Sequence, residues 1–265
     1  MLFRSTIFAR RSSARDECAT VADRWPSTFR WFFMTQSLQP DFLEDGRLLF
    51  AGPCDFIFAS ASAKDLPSPG AYEVAFAGRS NVGKSSLLNA LTNRKTLARV
   101  SNTPGRTQQL NFFSLTGATG GDERLRLVDM PGYGYAAVGK EKVASWSKLM
   151  RDYLRGRAQL VRVFVLVDAR RGIKPVDGEM FDLLDQAAVS YQVILTKHDE
   201  LKPAERTAVV AETLEALKKR PAAYPELIFT SSQTGEGIET LRGAIAQLLY
   251  ERWSDRKSTR LNSSH

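Results

Sequence analysis

Gly78-Arg79-Ser80-Asn81-Val82-Gly83-Lys84-Ser85-Ser86 has the spacing G-x-x-x-x-G-K-[ST], in which each letter answers a requirement of a polyphosphate. Glycines let backbone N–H groups turn inward around an anion, a helix N-terminus adds positive potential, and Lys84 brings a mobile point charge. The Ser85 hydroxyl is placed to ligate Mg²⁺. An apolar run, Tyr72 to Ala77, precedes the loop and a helical pattern follows it, which is the strand-loop-helix context such a loop needs. The implied ligand is a nucleoside triphosphate; the blander alternative is a glycine-rich turn ahead of a helix.

Three later segments bear on which nucleotide. Asp129-Met130-Pro131-Gly132 closes a strand-like run, and ligands gather at such strand ends. Asp129 would hold a water of the Mg²⁺ shell, and the Gly132 N–H would face a γ-phosphate and register its loss. Thr196-Lys197-His198-Asp199 follows another apolar strand. A carboxylate there accepts both the N1–H and the exocyclic amine of guanine, whereas adenine has no matching pair of donors. Leaving that carboxylate unpaired costs about 2 kcal/mol or more, which makes the choice of base strong. Lys197 would lay its methylene stem over the base. Thr230-Ser231-Ser232-Gln233 ends the last strand, where a backbone N–H would meet guanine O6 with Ser231 supporting the loop. Taken singly, these segments read as strand-end turns or solvated loops; their order behind the phosphate loop gives them weight.

The elements that must position these residues alternate along the chain. Strands are expected at Tyr72 to Ala77, Leu110 to Leu115, Leu125 to Asp129, Leu160 to Asp168, Tyr191 to Thr196 and Leu227 to Thr230. Helices are expected near Lys84 to Thr92, Lys140 to Arg157, Val176 to Ala187, Pro203 to Lys219 and Glu239 to Trp253. Val163 to Val167 is apolar at every residue, as suits a central strand covered on both faces. Val143, Trp146, Met150 and Tyr153 fall on one helical stripe. Strand-helix alternation of this kind predicts a three-layer α/β fold, a central mostly parallel sheet flanked by helices.

The chain has 265 residues, 43% of them hydrophobic, enough for one sizeable core with extensions. Two cysteines, Cys18 and Cys54, and two histidines, His198 and His265, argue against a disulfide framework and against a Cys/His metal site. The net charge is +8; residues 1–33 contribute +3 and Ser254 to His265 contribute +2, leaving the core near +3. A mildly basic core permits an RNA partner without demanding one. No apolar stretch approaches a bilayer span of about 20 residues, so no membrane insertion is expected. The Arg- and Ser-rich opening has some look of an organelle transit peptide, but Asp16, Glu17 and Asp23 run against that reading. Residues 1–49 are expected to be a partly disordered extension with a native start at Met34, and residues 253–265 a disordered or non-native tail.

The ordered set resembles the five-motif series of translation-factor-class GTPases. More narrowly, GRSNVGKSS, NTPGRTQ (Asn102 to Gln108), LNFF, DMPGYGYA (Asp129 to Ala136), TKHD and TSS resemble the EngB family of bacterial GTP-binding proteins, over roughly residues 50–252. That resemblance implies a P-loop G domain, GTP and GDP as ligands, and Mg²⁺ held by Ser85, Thr107 and, through water, Asp129. It makes Thr107 the switch I threonine within Gly105, Arg106, Thr107, Gln108 and Gln109, with Thr103 the rival candidate, and it puts Lys84, Thr107 and Gly132 at the reacting phosphate. Related GTPases with Asn at the place of Asn81 hold K⁺ there. Tyr133 stands where many GTPases carry a water-orienting glutamine, so slow unaided hydrolysis is expected.

The resemblance further implies a monomeric cytoplasmic switch acting on the large ribosomal subunit precursor, with a family role in cell division and septation. The alternatives are a non-hydrolysing GTP-dependent scaffold in septum formation and a P-loop ATPase or kinase. Lys140, Lys142, Lys148, Arg151, Arg155 and Arg157, with Arg170, Arg171 and Lys174, form a candidate rRNA-docking surface.

Overall fold

The computed structural model describes residues 40–95, 97, 109–134 and 140–262. Seven strands, β1 (Cys54–Ser60), β2 (Tyr72–Gly78), β3 (Leu110–Leu115), β4 (Leu125–Asp129), β5 (Leu160–Asp168), β6 (Tyr191–Thr196) and β7 (Ile228–Thr230), make one sheet in the order β1-β3-β4-β2-β5-β6-β7. From β4 to β7 in that order every pairing is parallel, while β3 runs antiparallel to both β1 and β4. Six described α-helices accompany it: α1 (Pro40–Leu49), α2 (Lys84–Leu91), α3 (Lys140–Gly156), α4 (Pro175–Gln186), α5 (Pro203–Leu217) and α6 (Ile238–Asn262).

Side-chain alternation along the strands explains the three layers. On β5, Val163, Val165 and Val167 enter one core with Met150 and Tyr153 of α3, Phe181 of α4 and Leu217 of α5. Phe164 and Leu166 enter the opposite core with Leu87 and Leu88 of α2 and Leu241 and Ile245 of α6. Met150 and Tyr153 are fully buried, as the helical stripe predicts, and Trp146 packs on the same core. The chain turns to opposite sides of β2, which lies between β4 and β5. Such a reversal of strand order opens a crevice at the carboxyl edge. Registers Phe76↔Asp129, Asp168↔Thr196 and Thr196↔Thr230 bring the ends of β4, β5, β6 and β7 to that edge beside Gly78.

The foot of β2 is held by a buried ion cluster. Glu73 is fully buried; Arg157 grips both its oxygens, with Nη2–Oε1 at 2.5 Å and Nε–Oε2 at 2.9 Å, and donates to the Pro67 carbonyl at 2.8 Å. Tyr153 Oη donates to Glu73 Oε2 at 3.1 Å. Burial and the neighbouring carboxylate keep that phenol's pKa well above its usual value, so it stays a donor. Arg157 is therefore an internal fastener and not part of the docking surface suggested by the sequence.

Three features depart from expectation. Strand β1 escapes pattern reading because Phe56, Ile57 and Phe58 are consecutive, apolar and exposed, and a bulge between Phe56 and Phe58 breaks the alternation. Helix α1 packs along α6, with Phe42 and Tyr250 rings 5.6 Å apart, so helical structure joins the fold before residue 50. Helix α6 continues to Asn262, so residues 253–262 of the tail expected to be disordered from 253 to 265 are helical. No Gly or Pro interrupts Ala244 to Asn262, and each residue added to an already packed helix needs only one new backbone hydrogen bond. Residues 1–39 and 263–265 lie outside the described residues, and no described helix is long and apolar enough to cross a membrane.

Replacing Arg157 by Met leaves Glu73 with Arg126 3.7 Å away as its remaining cation. That variant is expected to lose about 3 kcal/mol of stability, read as a lowered midpoint in urea unfolding.

Candidate functional site

Strand β2 ends at Gly78 and the chain swings over the crevice before entering α2. Asn81 (φ 65°) and Gly83 (φ 101°) both adopt the left-handed region, a bend of the kind that turns backbone N–H groups toward an anion. At Gly83 any side chain would meet backbone strain. Val82 between them is buried in the α2–α6 core, which pins the loop from below. The loop closes through Val82 N to Arg79 O at 3.2 Å and Leu87 N to Gly83 O at 2.8 Å.

Lys84 is the first residue of α2 and Asp129 the last of β4, the strand beside β2. Their side chains form an ion pair, Nζ to Oδ1. The pair sets one ammonium and one carboxylate side by side at the start of α2. Met130 and Pro131 are buried, and Met130 N donates to Phe76 O at 3.0 Å. Gly132 abuts the phosphate loop so closely that a Cβ would lie 3.1 Å from Ser80 Oγ. Ser80 N donates to Tyr133 O, and Tyr133 N to Gly78 O, each at 3.3 Å, tacking this segment to the loop.

Tyr133 does not stand in for a water-orienting glutamine. Its side chain is 5% exposed, its ring lies 6.5 Å from that of Trp146, and its hydroxyl donates to Asp177 Oδ1 at 2.9 Å. Asp177, at the start of α4, also faces Arg79 Nε at 3.3 Å and caps its helix from Lys174 N at 2.8 Å. Burial raises the Tyr133 pKa far above its usual value, so the group remains a neutral donor in the core.

On the other side, Thr196 Oγ1 donates to the Val82 carbonyl at 2.7 Å, with the Val167 carbonyl 3.3 Å away. Lys197 sits at φ 58° and sends Nζ to the Asn81 carbonyl at 3.0 Å and Asp168 Oδ2 at 3.1 Å. Its Cε lies 3.9 Å from where a Gly83 Cβ would be, so the stem crosses the phosphate loop. Asp168 is buried, which pushes its carboxyl up, but hydrogen bonds from Arg170 and Lys197 outweigh this and hold it at about 2. His198 turns inward, its ring 4.7 Å from Phe229 and Nδ1 3.2 Å from Glu236; burial lowers its pKa. Asp199 is half-buried in the turn His198–Glu200.

Ser231 builds the last loop. Its Oγ accepts from Gln233 N at 3.2 Å and Thr234 N at 3.1 Å, and its own N–H donates to Glu236 O at 2.9 Å. Thr230 and Ser231 are buried and Ser232 is exposed. Ser85 is half-buried and Ser86 exposed on α2, and Gln109 is half-buried just ahead of β3. Thr103, Gly105, Arg106, Thr107 and Gln108 lie outside the described residues. Sequence reading missed Asp168 and Glu236 and took Arg170 for a docking cation; the available signal was a carboxylate closing the wholly apolar run Val163 to Val167.

Among the described residues no group of three or more His, Cys, Asp or Glu could cage a metal. The donors at the site are the Ser85 hydroxyl and the Asp129 carboxylate, few and hard, which suits a Mg²⁺ that keeps much of its water.

A phosphate loop at the strand-order reversal, with Asp129 and the Thr196–Asp199 turn on the same edge, defines a P-loop GTPase fold. The family model for 50S ribosome-binding GTPases matches residues 73–197. The "Probable GTP-binding protein EngB" of Rhodopseudomonas palustris (strain BisA53) is 58% identical over 219 residues, covering 83% of this chain and 100% of that protein. Its counterpart in Bradyrhizobium diazoefficiens is 54% identical over 221 residues, again 83% and 100%. The chain belongs to the EngB family of GTP-binding proteins. Solved structures agree on the fold: a probable GTP-binding protein engB (TM-score 0.51, 24% identity, 68% of this chain and 99% of that one) and Era with MgGDPNP and 16S ribosomal RNA nucleotides (TM-score 0.53, 23% identity, 68% and 57%).

Thr196→Val strips the Val82 carbonyl of its donor inside the core. The expected cost is about 1–3 kcal/mol of stability, accompanied by weaker GDP binding, with Thr196→Ser restoring both; unfolding curves and nucleotide titration measure them.

Proposed function

We propose that the chain is a slow, Mg²⁺-dependent GTP-hydrolysing switch that acts as a monomer in the bacterial cytoplasm during assembly of the large ribosomal subunit. The observation that carries the switch reading is the attachment of the Gly132–Tyr133 backbone to the phosphate loop at Gly78 and Ser80, because a γ-phosphate arriving there must meet the segment that leads into α3. Ser85 and Thr107 would ligand the metal, with Asp129 holding one of its waters; the ion screens charge on the terminal phosphates. Asp199 accepts from the guanine edge, Lys197 covers the base, and the loop Thr230 to Ser232 presents a backbone N–H to O6.

Slow turnover follows from where Tyr133 goes. With its hydroxyl committed to Asp177, no side chain at that position orients the attacking water, so acceleration must come from a partner or a second cation. Asn81 is the residue we assign to K⁺. A rival reading, a non-hydrolysing scaffold in septum formation, draws on the same buried tyrosine; single-turnover hydrolysis with and without ribosomal particles separates them.

Support for a ribosomal partner comes from the family description and from α3, the first described helix after Gly132. Lys148, Arg151 and Arg155 are exposed there, and Arg171 and Lys174 are exposed past β5. Lys148 spends part of its charge on Asp152 at 3.0 Å, and Arg170 is committed to Asp168 and Glu200. Lys140 and Lys142 have side chains outside those described.

Three outcomes are expected. Asp199→Asn loses GTP affinity by about a hundredfold or more and gains xanthosine triphosphate; unchanged preference for guanosine in a competition titration overturns the guanine assignment. Hydrolysis runs faster in K⁺ than in Na⁺ and Asn81→Ala abolishes the difference, whereas equal rates in both salts remove K⁺ from the reading. Pull-down of large-subunit precursors by the protein loaded with a non-hydrolysable GTP analogue exceeds that with GDP, falls with salt, and is lost on charge reversal at Arg151 and Arg155; association indifferent to nucleotide, salt and these charges sinks the ribosomal proposal.

A further inference from the structure

The turn that carries Asp199 is gripped at both ends by one pair of residues outside every motif. Asp168 ends β5 opposite Thr196 of β6, and its backbone is fixed by Arg171 N and Gly172 N donating to its carbonyl at 2.9 and 3.0 Å. Its side chain is 4% exposed. One oxygen, Oδ2, meets Lys197 Nζ at 3.1 Å and Arg170 Nη2 at 2.7 Å, and the other accepts from Arg170 Nε at 2.9 Å and Arg170 N at 3.1 Å. Arg170 then reaches over with Nη1 to Glu200 Oε2 at 2.6 Å. Lys197 precedes the turn His198–Glu200 and Glu200 ends it, so the two contacts bracket Asp199.

We propose that Asp168 and Arg170 form a two-point brace that sets the aim of the Asp199 carboxylate, and so are positioning residues for guanine selectivity although neither touches the nucleotide. The inference rests on the reading of Thr196 to Asp199 as the base-binding loop. Its physical ground is the backbone at Lys197: a lysine in the left-handed region carries a conformational cost that persists only where surrounding contacts over-determine it. Those contacts are the Asn81 carbonyl on one side and Asp168 on the other. Two carboxylates, Asp168 and Glu200, balance two cations, Lys197 and Arg170, so the brace fixes the turn without adding net charge beside a triphosphate. An aimed carboxylate matters because the guanine exocyclic amine and N1–H must both be met at once; a carboxylate free to swing satisfies one and forfeits discrimination.

The test measures GDP and IDP affinity with fluorescent analogues, since inosine lacks the exocyclic amine. Asp168→Asn and Arg170→Ala are each expected to weaken GDP binding by about tenfold and to narrow the preference for GDP over IDP, while Arg170→Lys retains most of both. Because Asp168 acts through Lys197 as well as through Arg170, the double variant Asp168→Asn/Lys197→Met is expected to lose less GDP affinity than the two single losses combined. Arg170 is at the surface, so Arg170→Ala keeps the test available if Asp168→Asn does not fold. GDP affinity within about twofold of the parent, equal losses for GDP and IDP, or fully additive effects of Asp168→Asn and Lys197→Met would overturn the brace. Lys197→Met and Asp199→Asn with parental GDP affinity would instead overturn the base-loop reading beneath it.

Discussion

Everything at the carboxyl edge depends on the hydrogen bond from the Thr196 hydroxyl to the Val82 carbonyl. It joins the loop that would hold phosphates to the loop that would read the base, and it does so from inside the core, where water does not compete. Val82 anchors this arrangement because its side chain is packed between α2 and α6, so movement of the phosphate loop has to be reported to β6. Lys197 repeats the connection one residue later and nearer the surface, through the Asn81 carbonyl. Two successive residues at one strand end thus tie the two loops together, so the Thr that opens the TKHD motif carries a structural duty of its own.

Chemistry that is local in sequence was legible and chemistry assembled across the sheet was not. The phosphate loop, Asp129 and the TKHD turn are runs of neighbours that the sequence sets at strand ends, where the structure has them, and strand-helix alternation announced the parallel sheet. The fate of Tyr133 was invisible because its partner Asp177 lies 44 positions further along the chain, on α4. Arg157 looked like the last cation of a basic helix face, yet its carboxylate is Glu73, 84 positions earlier. Arg170 likewise looked available and is committed to Asp168 and Glu200. A count of basic residues near a strand end cannot distinguish surface charge from internal fastening; the distinction requires knowing which buried acid each one meets.

The same two fastened arginines sharpen the picture of the outer surface. With Arg157 and Arg170 withdrawn, exposed cations on α3 narrow to Lys148, Arg151 and Arg155 among the side chains described. Helix α3 is at the same time bound to the foot of β2 through Tyr153 and Glu73, so the helix presenting these charges is firmly attached to the strand that ends in the phosphate loop.

A bulge in an outermost strand is one of the devices that discourage edge-to-edge pairing of sheets. Among the described residues β1 is an outermost strand with Phe56, Ile57 and Phe58 exposed, and apolar side chains on a sheet edge favour unwanted pairing between molecules. The irregular step between Phe56 and Phe58 puts its row of donors and acceptors out of step with any straight strand laid alongside, so the margin resists templated aggregation even though it is oily.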